Sequence, residues 1–276
     1  MLLRLDPIQR AALFVPLVLP LMLSVAAAQA PSSEEQAAFI AASREHGLAY
    51  SKTLPNFLCT EVTKRSSTPA SQGLEGSWKL VDTLTIRLSY FDQKEDYRVI
   101  KINGKPVNER LSSVGGWTTR GDFGSMLRAI FEEKSQAKFV WERWDTWQGR
   151  RVAVYSYRIE REHSGFSADG GSLLKHISTN WGAKGLVHID TERRQAVRLA
   201  VESMDMPAES PIKDVHIAID YDFLKIGDDE FLLPSHSVTI TIDKKGKIAH
   251  KSDSEFSEYR KFSADAKINF GPGDGK

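Results

Sequence analysis

A handful of places in this 276-residue chain bring together residue types that do chemistry. The segment HSGFSADGG at 163–171 sets Ser167 two residues after Gly165, which is how a nucleophile elbow begins. Asp169 stands where the elbow needs its second glycine, so the segment reads as a polar loop. Asp122-Phe123-Gly124 spells the magnesium-binding tripeptide of protein kinases, but no glycine-rich phosphate loop, strand lysine motif or HRD accompanies it. Asp214 and His216 share a strand face if their register holds. The seven histidines include no pair at helical metal spacing, so no metal site is expected. The paired acids Glu132-Glu133 and Asp228-Asp229-Glu230 sit at element ends, where solvation explains them. Cys59 is the one cysteine. It excludes an internal disulfide and reads as a small buried hydrophobe rather than a reactive thiol. In VWERWDTW, a strand puts Trp141 and Trp147 on one face and Trp144 on the other. Core and edge packing is the expected role, and a platform for sugar or lipid is the sharper alternative.

The elements that would position any site are mostly strands with one dry face. Leu80, Leu84, Ile86, Leu88 and Tyr90 alternate with Val81, Thr83, Thr85, Arg87 and Ser89. Val215, Ile217, Ile219, Tyr221 and Phe223 oppose His216, Ala218, Asp220 and Asp222, and Val238, Ile240 and Ile242 oppose Ser237, Thr239, Thr241 and Asp243. In GLVHIDTERRQAVRLAVE, from Gly185 to Glu202, DTERRQ is a polar hairpin loop between two apolar arms, and Val197, Leu199 and Val201 oppose Arg198 and Glu202. Asn103-Gly104, DKKGK at 243–247 and WQGRR at 147–151 supply further hairpin turns. Long helices do not alternate with these strands, so a parallel sheet is not expected.

Two segments read as helical. Ser32 and Ser33 precede Glu35 and Gln36, an arrangement that caps a helix running to Leu54, before Pro55. In Asp122 to Phe131, Phe123, Met126, Leu127, Ile130 and Phe131 recur at helical spacing behind the loop Gly115-Gly116-Trp117. This short helix is either a cover over a cavity or a plug in the core.

Arg4 and Arg10 precede an uncharged run from Ala11 to Ala28 that is broken by Pro16 and Pro20 and ends in Ala26-Ala27-Ala28. That is the layout of a secretory signal over residues 1–28, with a mature chain expected from Gln29 in the periplasm or outside the cell. No cysteine follows the run, as a bacterial lipoprotein would require. Removing Arg4, Arg10 and Asp6 leaves a neutral balance of 35 basic and 35 acidic residues. Neutrality gives no footprint for nucleic acid and no polybasic surface for anionic lipid. The remaining residues suffice for one domain, expected over 29–270, with the tail GPGDGK (271–276) disordered.

A helix, a long antiparallel meander with one dry face and a short helix inserted mid-chain resemble the periplasmic lipoprotein-carrier fold of the outer-membrane lipoprotein-sorting proteins. GLVHIDTERRQAVRL is similar to that family's strand-turn-strand, with Ile189-Asp190 standing where the family has a Val-Asp type of pair. The family's Arg-Pro pair near an early strand has no counterpart, because Lys64-Arg65 is followed by SSTP. LPNFLCTEVTKR (54–65) and GDFGSMLRAIF (121–131) are separately similar to segments of exported acidobacterial proteins, a resemblance that implies no activity.

The expected fold is therefore α+β: an antiparallel β meander curled as an open half-barrel, with both helices on its concave side. The resemblance implies a noncatalytic, monomeric carrier or binding protein, periplasmic or secreted and without cofactor, that holds an acyl chain, lipid or lipoprotein segment, with peripheral or transient membrane contact. Its expected apolar wall comprises Leu84, Ile86, Leu88, Ile217, Ile219, Val238 and Ile240, covered by Trp117, Phe123 and Leu127. The alternatives are a monomeric envelope protein that binds partners around a self-filled core and, third, a secreted hydrolase.

Overall fold

The computed structural model describes residues 29–74, 76–115, 123–169, 178–210 and 212–262. The expected signal at 1–28, Trp117 and the tail 271–276 lie outside the described residues.

The first helix, α1 (Ser33–Thr53), starts where the capping pattern places it. Ser32 Oγ accepts from the Glu35 amide at 3.2 Å, and the Ser32 amide donates to Glu35 Oε2 at 2.9 Å. It stops at Leu54, which is extended, as a residue before proline must be. Phe39, Ser43, Gly47 and Tyr50 form its buried stripe. The second helix, α2 (Ser125–Phe131), is shorter than its apolar spacing predicts, because Gly124 takes a φ of 110° that a helix cannot contain.

The strands are β1 (Phe57–Pro69), β2 (Lys79–Phe91), β3 (Lys94–Ile102), β4 (Lys105–Arg110), β5 (Lys138–Trp147), β6 (Arg150–Ile159), β7 (Ser167–Asp169), β8 (Ser178–Asn180), β9 (Gly182–Asp190), β10 (Ala196–Met204), β11 (Ile212–Ile226), β12 (Asp229–Asp243) and β13 (Ile248–Lys261). Eleven of them form one antiparallel sheet in the order β4-β3-β2-β1-β13-β12-β11-β10-β9-β6-β5, curled but not closed. The short pair β7–β8 stands apart, so Ser167 belongs to a strand and not to the expected loop.

Turn chemistry sets the meander. Asn103 and Gly104 have φ of 51° and 77°, and Gln148 and Gly149 have 48° and 76°, the positive pairs of type I′ hairpins. In the β9–β10 hairpin, the buried Asp190 accepts from the amides of Glu192 and Arg193 at 2.8 Å each. That contact is why an acid follows Ile189. One long-range join has no signature in any local segment: β13 pairs with β1 and brings the two ends of the sheet-forming chain together.

Three of the expected faces are corrected, two of them at bulges. In β5 the register shifts between Trp141 and Arg143, so Trp141 and Trp144 share a face with rings 4.8 Å apart, and Trp147 lies on the other. In β2 the shift against β1 falls beyond Asp82, and Leu80 is exposed, outside the dry stripe that ends at Leu84. In β12 the alternation is as expected but the faces are exchanged. Ile217 and Ile219 stand opposite Thr239 and Ser237, which puts Val238 and Ile240 on the convex face with Ala218 and His216. A shift of one residue exchanges every side chain of a strand.

Candidate functional site

The concave face of the sheet has two apolar wings. On one wing Leu84, Ile86 and Leu88 of β2 are buried beside Val99 and Tyr97 of β3. On the other, Ile217 and Ile219 of β11 continue into Val201 and Leu199 of β10, then Val187 of β9 and Tyr155 of β6. Four strand steps separate β2 from β11, about 19 Å along the sheet.

Between them, the middle stretches of β1, β13 and β12 are polar on this face, although Phe57 and Cys59 of β1 and Phe256 of β13 lie on it too. Thr63 pairs with Ser254, Ser254 with Ser237 and Ser252 with Thr239. Glu61 lies on the same face between Cys59 and Thr63 and is 6% exposed. Its Oε1 accepts from Thr63 Oγ1 at 2.7 Å and Ser254 Oγ at 2.9 Å, while Oε2 is buried without a hydrogen-bond partner. Thr241 Oγ1 is likewise buried and unpartnered. Burial pushes the Glu61 carboxyl above the usual carboxylate range, although its two hydroxyl donors pull the other way.

None of these polar residues belongs to the expected apolar wall. The signal for them lay in β13, where Ser252 and Ser254 alternate with Lys251, Asp253 and Glu255. The charges must face water, so the serines face in, and pairing with β12 then turns Ser237 and Thr239 inward as well.

Helix α2 lies across the trough between the wings. At its start Phe123 packs against Phe57, Tyr90, Phe256 and Tyr259, with ring centroids 5.3 to 6.4 Å apart. At its end Phe131 stacks on Phe139, a neighbour of Tyr157. Leu127, Ile130 and Phe131 are buried. Gly47 lets α1 approach, since a Cβ there would meet the Phe131 ring at 3.0 Å. Beside this crossing is a cavity of about 270 Å³ lined by Ser43, Gly47, Tyr50, Leu127, Ala196 and Leu232 among others. Of the expected wall and cover, Leu127 alone among the described residues lines it.

Cys59, at 2% exposure, sits on the concave face beside Leu88. Burial, reinforced by Glu61, pushes its thiol far above the ordinary range. The Asp214 and His216 pair does form: His216 Nε2 lies 3.1 Å from Asp214 Oδ2, and Ser203 donates to Asp214 Oδ1. This order places the carboxylate between hydroxyl and imidazole. A hydrolytic triad needs the imidazole in the middle to take the serine proton. Among the described residues, no group of three His, Cys, Asp or Glu side chains is placed to hold a metal ion.

No family model and no curated protein matches the chain. Among solved structures it is similar to a domain described as an outer membrane lipoprotein-sorting protein from Vibrio parahaemolyticus, at 14% identity over 83% of this chain and 94% of that one, with a TM-score of 0.36. It is also similar to a DUF1329 family protein from Desulfovibrio piger, at 8% identity over 82% and 94%, with a TM-score of 0.36. A third similarity, to a chain of the Pseudomonas aeruginosa MucA/MucB complex, has 12% identity over 79% and 94% and a TM-score of 0.22.

Proposed function

We propose that the chain is a noncatalytic binding protein of the periplasm or cell exterior, which takes an acyl chain, lipid or lipoprotein segment into the trough that α2 occupies. The observation that carries this reading is α2 itself: seven residues, without a side-chain N-cap, whose buried apolar side chains lie between the two wings of an open sheet. A helix this short has little stability of its own and is held by what it packs against. An element of that kind is exchangeable for a guest of similar apolar content.

The magnitudes are balanced. Burial of Phe123, Leu127, Ile130 and Phe131 stabilises docking by roughly 6–12 kcal/mol at 1.5–3 each, and a twelve-carbon chain gains about 9 kcal/mol at 0.8 per methylene. Both are upper estimates, and an exchange near balance suits a carrier that must also release its guest. The cavity beside Leu127 gives a guest a place to enter. Export rests on the layout of residues 1–28.

The test is titration of the exported protein with a fluorescent fatty acid, together with native mass spectrometry of protein purified from lysate that contains membranes. Saturable uptake and co-purifying lipid mass are expected. The absence of both refutes the reading. A partner-binding role is the second reading, favoured by β5, a ten-residue edge strand of the sheet that exposes Val140.

A further inference from the structure

We propose that Glu61 and the hydroxyls of Thr63, Ser254 and Ser237 form a polar binding site for the neutral, hydroxyl-bearing head group of an amphiphile whose hydrocarbon lies on the apolar wings. This inference rests on the binding function proposed above and specifies the chemical class of the guest.

An orphaned atom points to it. Glu61 Oε2 is buried without a partner, beside the hydroxyls of Thr63 and Ser254, which lie within hydrogen-bond reach of one another and of Glu61 Oε1. A carboxylate buried with one oxygen unsatisfied is unfavourable, and an apolar residue of similar shape would stabilise the fold instead. Groups of this kind are retained where a ligand completes them. The strip is built for that. Thr63 Oγ1 and Ser254 Oγ lie 2.9 Å apart and both reach Glu61 Oε1, which fixes the carboxyl plane and leaves Oε2 as the open acceptor.

The chemistry favours a neutral donor over a cation. Desolvation and the nearby Glu95 both oppose the ionised form of Glu61. The nearest arginine along this face of β1, Arg65, is committed to Asp82 through a bidentate pair at 2.7 and 2.5 Å. A hydroxyl matches either form of the carboxyl, and serine and threonine hydroxyls both give and accept hydrogen bonds to a polyol. An ammonium ion would find one open carboxylate oxygen and, among the described residues, no second carboxylate on the strip.

Access follows from α2. Phe123 stands edge-on to Phe256 at 5.8 Å, and Phe256 is the cross-strand neighbour of Glu61. Displacing the start of α2 therefore uncovers the carboxyl and the wings together, which positions an amphiphile with its head at the strip and its chain along β2 or β11.

The experiment compares 1-monolauroylglycerol, dodecanoate and dodecylammonium, which share a twelve-carbon apolar part, with the full protein by intrinsic tryptophan fluorescence. Wild type is expected to bind the glycerol ester about tenfold more tightly than dodecanoate, the scale of one good hydrogen bond to a carboxyl group. Glu61→Leu abolishes the preference by lowering affinity for the ester while dodecanoate affinity holds. Ser254→Ala, which removes one of the two hydroxyls that hold the carboxyl, weakens the ester several-fold and covers the case that the Leu variant does not fold. Equal binding of ester and dodecanoate by wild type, or a preference that survives both substitutions, overturns the site and leaves the binding function standing. Tighter binding of dodecylammonium overturns the neutral head group. Binding of none of the three removes the binding function and this inference with it.

Discussion

Truncation of Phe123 to alanine separates an exchangeable α2 from a permanent core element. The ring is 2% exposed and touches four aromatic neighbours, Phe57, Tyr90, Phe256 and Tyr259. Deleting a buried phenylalanine of this kind costs about 3–5 kcal/mol. If α2 were inseparable from the fold, the whole loss would appear in global stability and lower the Tm by roughly 6–20 °C for a chain of this size. If α2 undocks as a unit, the same loss falls on the docked state. Buried Leu127 and Ile130, Phe131 against Phe139 and the α1 contact at Gly47 are then the contacts that remain. The undocked, guest-accepting population rises accordingly. Apparent affinity scales with that population, so about 3 kcal/mol strengthens fatty-acid uptake by up to about 100-fold, saturating once the undocked form predominates. The assay is a fluorescent fatty-acid titration of wild type and Phe123→Ala, with far-ultraviolet dichroism and thermal melting alongside. Tighter uptake, near-native dichroism and a modest fall in Tm are expected. Uptake lost with dichroism intact would make α2 a cover that must close over the guest. Gross unfolding without uptake by wild type would refute exchange altogether.

Three further outcomes are expected. His188 is buried, its Nδ1 has no partner, and burial aided by Arg198 and Arg143 depresses its pKa to about 4 from an ordinary 6.5. The unfolded chain therefore takes the proton first: the stability that neutral His188 contributes is complete above pH 6.5 and is lost as pH falls from 6.5 towards 4, with about 2 kcal/mol gone by pH 5. Urea midpoints at pH 7 and pH 5 measure it. His216, raised by Asp214, titrates in the opposite sense, so the difference between wild type and His188→Gln isolates the effect. Cys59 should resist a thiol reagent in native protein and react stoichiometrically in denaturant, and fast native labelling would contradict its burial. Gly185→Ala should destabilise by more than about 3 kcal/mol in denaturant titration, since its Cβ would lie 1.9 Å from the Ala200 carbonyl oxygen. Near-native stability would show that β9 and β10 separate easily there.

Local signals located the elements well where a side chain acts on its own backbone. Ser32 with Glu35, Asn103-Gly104 and the alternation around Leu199 each produced the element they suggested. Legibility failed where a partner strand decides. Nothing inside VWERWDTW marks the shift after Trp141, because the extra residue is defined only against Tyr155 and Val154 of β6. Nor does LPSHSVTITID state which of its faces is dry. Read alone, Val238 and Ile240 belong inside by hydrophobicity, and the structure overrides that preference because β13 must keep Lys251, Asp253 and Glu255 in water.

That override links the fold to the candidate site. Once the charges of β13 face solvent, antiparallel pairing sets Ser252 and Ser254 inward, and with them Ser237, Thr239 and Thr241 of β12 and Thr63 and Glu61 of β1. A sheet that sought only burial would have aliphatic side chains on three of its central strands. Instead it keeps Val238 and Ile240 half-buried on the convex side and encloses a carboxyl with an unpartnered oxygen on the concave side. The arrangement forgoes roughly 1.5–3 kcal/mol for each aliphatic side chain not fully buried and adds the desolvation of Glu61. A concave face meant only to be filled by the protein's own helices has no use for such a strip. The proposed guest, with both a chain and a polar head, would use it, with the wings of Leu84 and Ile217 on either side of Glu61.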